Sequence, residues 1–314
     1  MSKPEILVLK PIYAPTMAAL ERDYVVHKGW EPARSDSRAV RALVTTTATG
    51  FTREDAKACP ALEIVVCFGT PRANFDFAAA SERGLVVGAT PDDIAAPVAD
   101  LAVGLLVSLV RRIAEGDRFV RAGQWTTRAA APGRDLAGKT CGIVGLGQIG
   151  LRVARRAEAF GMRIEYHGPN RKSVAYPYHA DIVALARAAD CLVVTCPLTP
   201  QTRGLIDARV LAALGPEGFL VNVARGEVVD EGALLAALQG AGIAGAALDV
   251  YWNEPDVPRA LTDMDNVLLT PHVGSNTREV RDERGAKLLA NLEAHFAGKP
   301  VPHVFTAEMA AGRR

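Results

Sequence analysis

Three residues of this 314-residue chain have types and surroundings that could do carbonyl chemistry. Arg225 lies in Asn222-Val223-Ala224-Arg225-Gly226, Glu254 in Asp249-Val250-Tyr251-Trp252-Asn253-Glu254-Pro255, and His272 in Thr270-Pro271-His272-Val273-Gly274. Hydride addition to a carbonyl carbon leaves charge on the oxygen, so a proton donor must stand near it. Histidine suits that role because its ordinary pKa lies near neutrality. A carboxylate beside it would hold the ring and favour the protonated form. An arginine would grip a carboxylate with two parallel hydrogen bonds. Taken singly, Arg225 and Glu254 read as surface charges and His272 as a loop or core histidine. Together they read differently, because each follows an apolar run of strand character, and ligands bind at that end of open parallel sheets.

A second constellation is Gly145-Leu146-Gly147-Gln148-Ile149-Gly150, a G-x-G-x-x-G run after the apolar strand Thr140–Val144 and before a helical stretch. That context is what a dinucleotide-phosphate turn requires. Gly145 allows the tight turn, Gly147 lets the backbone approach a pyrophosphate, and Gly150 lets the helix pack against the strand. The helix's first amides, with those of Gln148 and Ile149, and its positive end would hold the phosphates. An NAD site usually adds an acidic residue about 20 residues further on. Here the chain reads Tyr166-His167-Gly168-Pro169-Asn170-Arg171-Lys172, with no carboxylate from Tyr166 to Ala180 and Glu165 inside the strand. Arg171 and Lys172 could neutralise a 2′-phosphate, with Asn170 as a donor. The pattern points to NADP(H), with NAD(H) left open and a solvated basic loop as the plain alternative.

These residues need an α/β scaffold. Strands are expected at Glu5–Leu9, Val40–Thr45, Leu62–Cys67 and Leu85–Val87, with helices between, such as Arg53–Cys59 after Thr52. A long helix is expected from Ala95 to Glu115, then an exposed connection from Gly116 to Gly138. Six strands follow, at Thr140–Val144, Arg163–Tyr166, Cys191–Thr195, Phe219–Val223, Gly245–Val250 and Val267–Leu269, and a last helix spans Thr277–Ala297. The alternation implies a two-domain α/β protein: a Rossmann-type doubly wound parallel sheet and a smaller flavodoxin-like α/β domain for substrate. Expected boundaries are residues 1–96 with 285–314 for the discontinuous substrate domain and 97–284 for the dinucleotide domain.

A formal net charge of +1 gives no electrostatic reason to expect nucleic acid or an anionic membrane. The apolar run Ile94–Val110 contains Pro97 and Asp100 and is at the short limit for a bilayer span; burial between domains or subunits is the expectation. The start lacks a signal-peptide h-region. The five cysteines, Cys59, Cys67, Cys141, Cys191 and Cys196, include no C-x-x-C pair and read as buried thiols of a reducing cytoplasm, with no metal site.

The chain resembles the D-isomer-specific 2-hydroxyacid dehydrogenases from about Leu62 to Ala297, most strongly from Asp135-Leu136-Ala137-Gly138-Lys139-Thr140 through Thr277. Cys196-Pro197-Leu198-Thr199-Pro200-Gln201-Thr202 is similar to the family's loop beside the cofactor. Val223 to Asp230 is similar to its arginine segment, Ala247 to Pro255 to its glutamate segment, and Pro271-His272 to its histidine segment. The resemblance implies that Arg225 binds the substrate carboxylate, that His272 is the general acid and that Glu254 is its partner. It implies Ala224 and Asp249 beside the nicotinamide, with Cys196, Pro197, Thr202 and Gly274 also cofactor-binding. It further implies two domains hinged around a cleft, and a homodimer formed near the helix after Ala95. Bacterial glyoxylate/hydroxypyruvate reductases and hydroxyphenylpyruvate reductases are closest in look, through Tyr251-Trp252-Asn253-Glu254-Pro255 and Tyr176-Pro177-Tyr178-His179.

Two places depart from the pattern. In Phe68-Gly69-Thr70-Pro71-Arg72-Ala73-Asn74-Phe75-Asp76, Gly69, Thr70 and Arg72 are the candidate substrate residues, but Pro71 stands where glycine is expected and has no N–H to give. Arg72 either reaches the substrate or points to solvent. Pro169 stands where NADPH-using relatives often carry arginine. The expected activity is reduction of a small 2-keto acid to its D-2-hydroxy acid. The alternatives are oxidation of a 2-hydroxy acid such as phosphoglycerate, which the absence of an appended regulatory domain before Arg314 speaks against, and a non-catalytic cofactor-sensing protein of corepressor type.

Overall fold

The computed structural model describes residues 3–31 and 37–311; residues 1, 2, 32–36 and 312–314 of the expected substrate domain lie outside the described residues. The chain divides into two compact units. One comprises residues up to Asp93 with those from Thr277 onward, and the other is Ile94–Asn276. The second crossing comes earlier in the chain than the expected 284/285. Thr277 caps the helix Arg278–Phe296, its hydroxyl accepting from the Val280 amide, and Leu288 and Leu292 of that helix are buried in the first unit's core.

The first unit holds a parallel sheet of β1 (Glu5–Val8), β2 (Val25–Lys28), β3 (Val40–Thr46), β4 (Ile64–Phe68) and β5 (Val86–Ala89), in the order β2-β1-β3-β4-β5. That is the flavodoxin-like order. All five residues of β4 are buried, as expected of a near-continuous apolar run covered on both faces. Val65, Leu43, Phe51, Phe75 and Phe305 fill one side; Ile6, Val8, Val44, Val66, Leu288 and Leu292 fill the other. The Arg53–Ala58 helix opens on the capping box of Thr52 and Asp55. β2 was not legible in the sequence: it pairs with β1 alone, and none of its residues is buried.

The second unit is a seven-stranded parallel sheet, one strand more than expected. Its strands are β6 (Thr140–Val144), β7 (Arg163–His167), β8 (Tyr178–His179), β9 (Cys191–Val194), β10 (Phe219–Asn222), β11 (Gly245–Leu248) and β12 (Val267–Leu269), in the order β12-β11-β10-β9-β6-β7-β8. Counted from β6 this is the doubly wound order 3-2-1-4-5-6 with a further strand at the far edge. The strand order reverses between β6 and β9, where such sheets bind ligands.

The expected Ala95–Glu115 helix is two helices, Ala95–Val110 and Ile113–Arg121, and the second occupies part of what was expected to be irregular. Arg112 breaks the run by taking a left-handed conformation, φ 55°, with no proline or glycine to announce it. The apolar run also has a closer partner than another domain or subunit. Val98, Ala102, Leu105, Leu106 and Leu109 are buried in their own unit's core, with Ile143, Val153, Val193 and Val221. Among the described residues no helix is long and apolar enough to cross a membrane, and no group of three or more His, Cys, Asp or Glu could hold a metal ion. All five cysteines are buried and none is in a disulfide.

Candidate active site

The glycine turn gives each glycine a distinct steric reason. Gly145 has φ 96°, and a Cβ there would lie 2.7 Å from the backbone of Cys196. A Cβ at Gly150 would lie 2.4 Å from the Gly145 carbonyl oxygen, so only glycine lets the Gln148–Ala159 helix approach β6 this closely. Gly147 is different: a Cβ there meets nothing within 4 Å. The protein itself does not exclude a side chain at Gly147, and the open face is the one that a pyrophosphate would need. Ile149 packs against the core, whereas the Gln148 side-chain oxygen accepts from Arg152 at 2.9 Å. The turn, the helix N-terminus and the open face together fit a dinucleotide.

Beyond β9, Thr202 holds its loop closed. Its hydroxyl donates to the Pro197 carbonyl at 2.6 Å and accepts from the Thr199 amide at 2.7 Å. Cys196 is buried, and burial pushes its thiol up to about 11, so it is a packing residue and not a nucleophile.

Arg225, Glu254 and His272 follow β10, β11 and β12, three adjacent strands. Buried Asn222 shapes the turn before Arg225: its side-chain oxygen accepts from the Ala224 amide at 3.0 Å, and its amide group donates to the Arg225 carbonyl at 2.9 Å. Half-buried Arg225 donates from Nη1 to the Ala224 carbonyl at 2.5 Å. Gly226 is pressed against the glutamate segment; a Cβ there would lie 2.1 Å from the Tyr251 carbonyl carbon. Trp252 adds a bond from its indole N–H to the Val229 carbonyl at 2.7 Å. The arginine and glutamate segments are thereby fixed to each other.

The glutamate and histidine segments are fixed as closely. Glu254 Oε2 stands 2.7 Å from His272 Nδ1, and Glu254 Oε1 accepts from the Tyr251 amide at 3.1 Å. The Tyr251 hydroxyl lies 2.9 Å from the Thr270 carbonyl, and burial raises that phenol to about 12, so it stays a donor. His272 sits at φ 51°, a region that non-glycine residues occupy only where surroundings impose it. Asp249 imposes it. Its carboxylate, 1% exposed, accepts from Thr270 Oγ1 at 2.6 Å, the Val273 amide at 2.8 Å and the Gly274 amide at 2.9 Å. Asp249, expected beside a nicotinamide, and Gly274, expected to bind the cofactor, are thus bonded to each other. Ala224 is buried where β10 ends.

At the other side of the switch point, Glu165 meets His179, Oε2 to Nε2 at 2.5 Å. Asn170, Arg171 and Lys172 are exposed. In the first unit the loop after β4 has few amides to offer. The Gly69 amide, at φ 119°, donates to Thr90 Oγ1 at 2.6 Å, the Thr70 amide donates to Thr47 Oγ1 at 3.2 Å, and Pro71 has none. Arg72 is exposed.

Residues 103–274 match the NAD-binding domain of D-isomer specific 2-hydroxyacid dehydrogenases. The chain belongs to that family. The dehydrogenase is 41% identical to a hydroxyphenylpyruvate reductase of Plectranthus scutellarioides, over 94% of this chain and 97% of that one. It is also 41% identical to a glyoxylate/hydroxypyruvate reductase A of Arabidopsis thaliana, over 94% and 96%. The crystal structure of an NADPH-dependent glyoxylate/hydroxypyruvate reductase from Sinorhizobium meliloti, in complex with NADP and malonate, aligns with a TM-score of 0.79 at 38% identity, covering 98% of each chain. An NAD(P)-binding domain is therefore present. Sequence reasoning passed over Asn222, Thr270 and Tyr251 as positioning residues. Asn222 ends an apolar strand and Thr270 precedes Pro-His, but nothing in the sequence names their partners.

Asp249→Asn keeps the volume but turns a donor toward the buried Gly274 amide. Leaving that amide unpaired should cost about 1–3 kcal/mol, and displacing His272 should lower kcat on the order of 10- to 100-fold. Thermal melting and steady-state kinetics check this; a variant with wild-type Tm and kcat would show that the His272 loop holds without Asp249.

Proposed function

We propose that this dehydrogenase reduces a small 2-keto acid of the glyoxylate or hydroxypyruvate type to the D-2-hydroxy acid, using NADPH in preference to NADH. The observation that carries the reading is the pair of His272 Nδ1 and Glu254 Oε2 at 2.7 Å, after β12 and β11, with Arg225 after β10, the next strand of the sheet. Glu254 holds one ring nitrogen, and His272 Nε2 has no hydrogen-bond partner among the described residues. His272 gives its proton from Nε2 to the carbonyl oxygen, and Arg225 holds the carboxylate. The cofactor, when bound, supplies the hydride to the carbonyl carbon. Gly145, Gly147 and Gly150 with the amides of Gln148 and Ile149 receive its pyrophosphate, and the loops of Cys196–Thr202, Ala224, Asp249 and Gly274 flank the rest.

The NADPH preference rests on Asn170-Arg171-Lys172 and on Glu165 being occupied by His179. A homodimer belongs to the reading, since Ile113, Val120 and Trp125 are exposed apolar side chains on one short segment that a second copy would cover. So does a cytoplasmic setting, where five buried thiols stay reduced.

A spectrophotometric screen of NADPH and NADH against glyoxylate, hydroxypyruvate, phenylpyruvate and pyruvate tests the whole reading; no turnover of any of them would overturn it. His272→Ala should lower kcat by about 100- to 10,000-fold while Tm and NADPH binding persist. Arg171→Ala should cut kcat/KM for NADPH and leave that for NADH nearly unchanged; a wild type that uses NADH as well as NADPH would sink the preference. Arg72 belongs to the substrate loop in this reading, as the group that offers charge where Gly69, Thr70 and Pro71 offer no free amide. Arg72→Ala should raise KM for every keto acid, most for those with a second anionic group, with kcat little changed. An unmoved KM across the screen would make Arg72 a solvent-facing residue.

A further inference from the structure

The segment from Gly168 to Lys172 is held in an unusual way. Among the described residues, Pro169, Asn170 and Arg171 make no backbone hydrogen bond. The bow they form is fastened at its two ends, each time by a tyrosyl hydroxyl from beneath. At one end the Tyr178 hydroxyl donates to the Gly168 carbonyl at 3.1 Å. At the other the Lys172 amide donates to the Tyr166 hydroxyl at 2.7 Å. The two rings support each other, centroids 5.3 Å apart, on the paired residues of β7 and β8. Tyr166 is 1% exposed, the largest fully buried side chain among the described residues. Phenylalanine would fill the same space, so what tyrosine adds there is the hydroxyl.

The charges on the bow complete the picture. Arg171 and Lys172 are exposed, and neither has an ion pair among the described residues. The carboxylate within β7, Glu165, is held by His179, and the His167 ring nitrogen Nδ1 lies 3.0 Å from the His179 carbonyl. The segment between β7 and β8 therefore carries no acidic group of its own, the nearest, Glu165, being held by His179, and it presents two cations with no ion pair among the described residues on a backbone fixed only at its ends. We propose that Tyr166 and Tyr178 are positioning residues for recognition of the adenosine 2′-phosphate of NADP(H): their hydroxyls pre-shape the Pro169–Arg171 bow so that Asn170, Arg171 and Lys172 converge on one anion. Holding the loop before the ligand arrives lowers the ordering cost that binding must meet. The proposal rests on the NADPH reading above and extends it to residues that touch no ligand.

The test is binding, not turnover. NADPH and NADH are titrated separately, without keto acid, by nicotinamide fluorescence into the wild type, Tyr166→Phe, Tyr178→Phe and Arg171→Ala. Each phenylalanine variant should weaken NADPH by roughly 2- to 10-fold, the worth of one net hydrogen bond, and leave NADH within about twofold, the scale below which that single-bond effect is not distinguishable. A purely structural role would weaken both cofactors alike, and that result would overturn the proposal, as would unchanged NADPH binding in both variants. Arg171→Ala separates the two levels. If Arg171→Ala weakens NADPH selectively but the phenylalanine variants do not, the tyrosines are idle and the NADPH reading stands. If Arg171→Ala leaves the NADPH-to-NADH ratio where it was, the NADPH reading itself falls.

Discussion

The buried carboxylate of Asp249 is the interaction on which the candidate active site depends. A histidine that must meet a substrate has to be exposed, and this one is also in a left-handed backbone conformation. Neither condition is favourable by itself. Asp249 reconciles them by gathering Thr270, Val273 and Gly274 around one carboxylate on the last turn of backbone after β11. The loop is therefore rigid where it passes under His272 and open where the imidazole emerges. The same carboxylate cannot be replaced by a neutral side chain without leaving a buried donor unpaired, which is the asymmetry that makes such groups costly to change.

The parallel sheet supplies the order in which everything else is laid out. Reading across its carboxyl edge from β12 to β7, one meets the proton-donor candidate, its glutamate, the arginine, the Cys196 loop, the glycine turn and the basic bow. No chain reversal is needed to assemble them, because every strand points the same way. The close approach of Gly145 to Cys196 and of Gly226 to Tyr251 shows how neighbouring segments are locked edge to edge. Glycines stand where two backbones must nearly touch, and Arg225 stands next to one of them, Gly226.

How much of this was legible follows from which physical signals are local. Strands such as β4 and β6 are uniformly buried and read as apolar runs. The tight turn at Gly145 and the close packing at Gly150 were legible because both constraints are set within six residues and one neighbouring strand. Edge strands failed: β2 has no buried residue and β8 is only Tyr178–His179, so neither leaves a period to find. The break at Arg112 failed for the opposite reason, since its residue types favour continuing the helix and the conformation is set by packing. In the site, residue types announced Arg225, Glu254 and His272. The hydrogen-bond partners of Asp249 and of Tyr166 and Tyr178 could not be announced, because they lie across strands or across a loop, and pairing at such separation is decided only by the fold.

That division has a consequence for how the site can vary. The groups assigned to proton transfer are embedded in bonds between β10, β11 and β12, so altering one disturbs its neighbours, and their effects on activity should be strongly non-additive. The bow after β7 is on the other side of the switch point, where it is tied to β8 and to its own strand. In the proposed reading, cofactor choice and proton transfer are carried by separate parts of the sheet edge: the end-fastened bow after β7, and the bonded network of β10, β11 and β12. The parallel sheet permits both because it separates them by whole strands along a single edge.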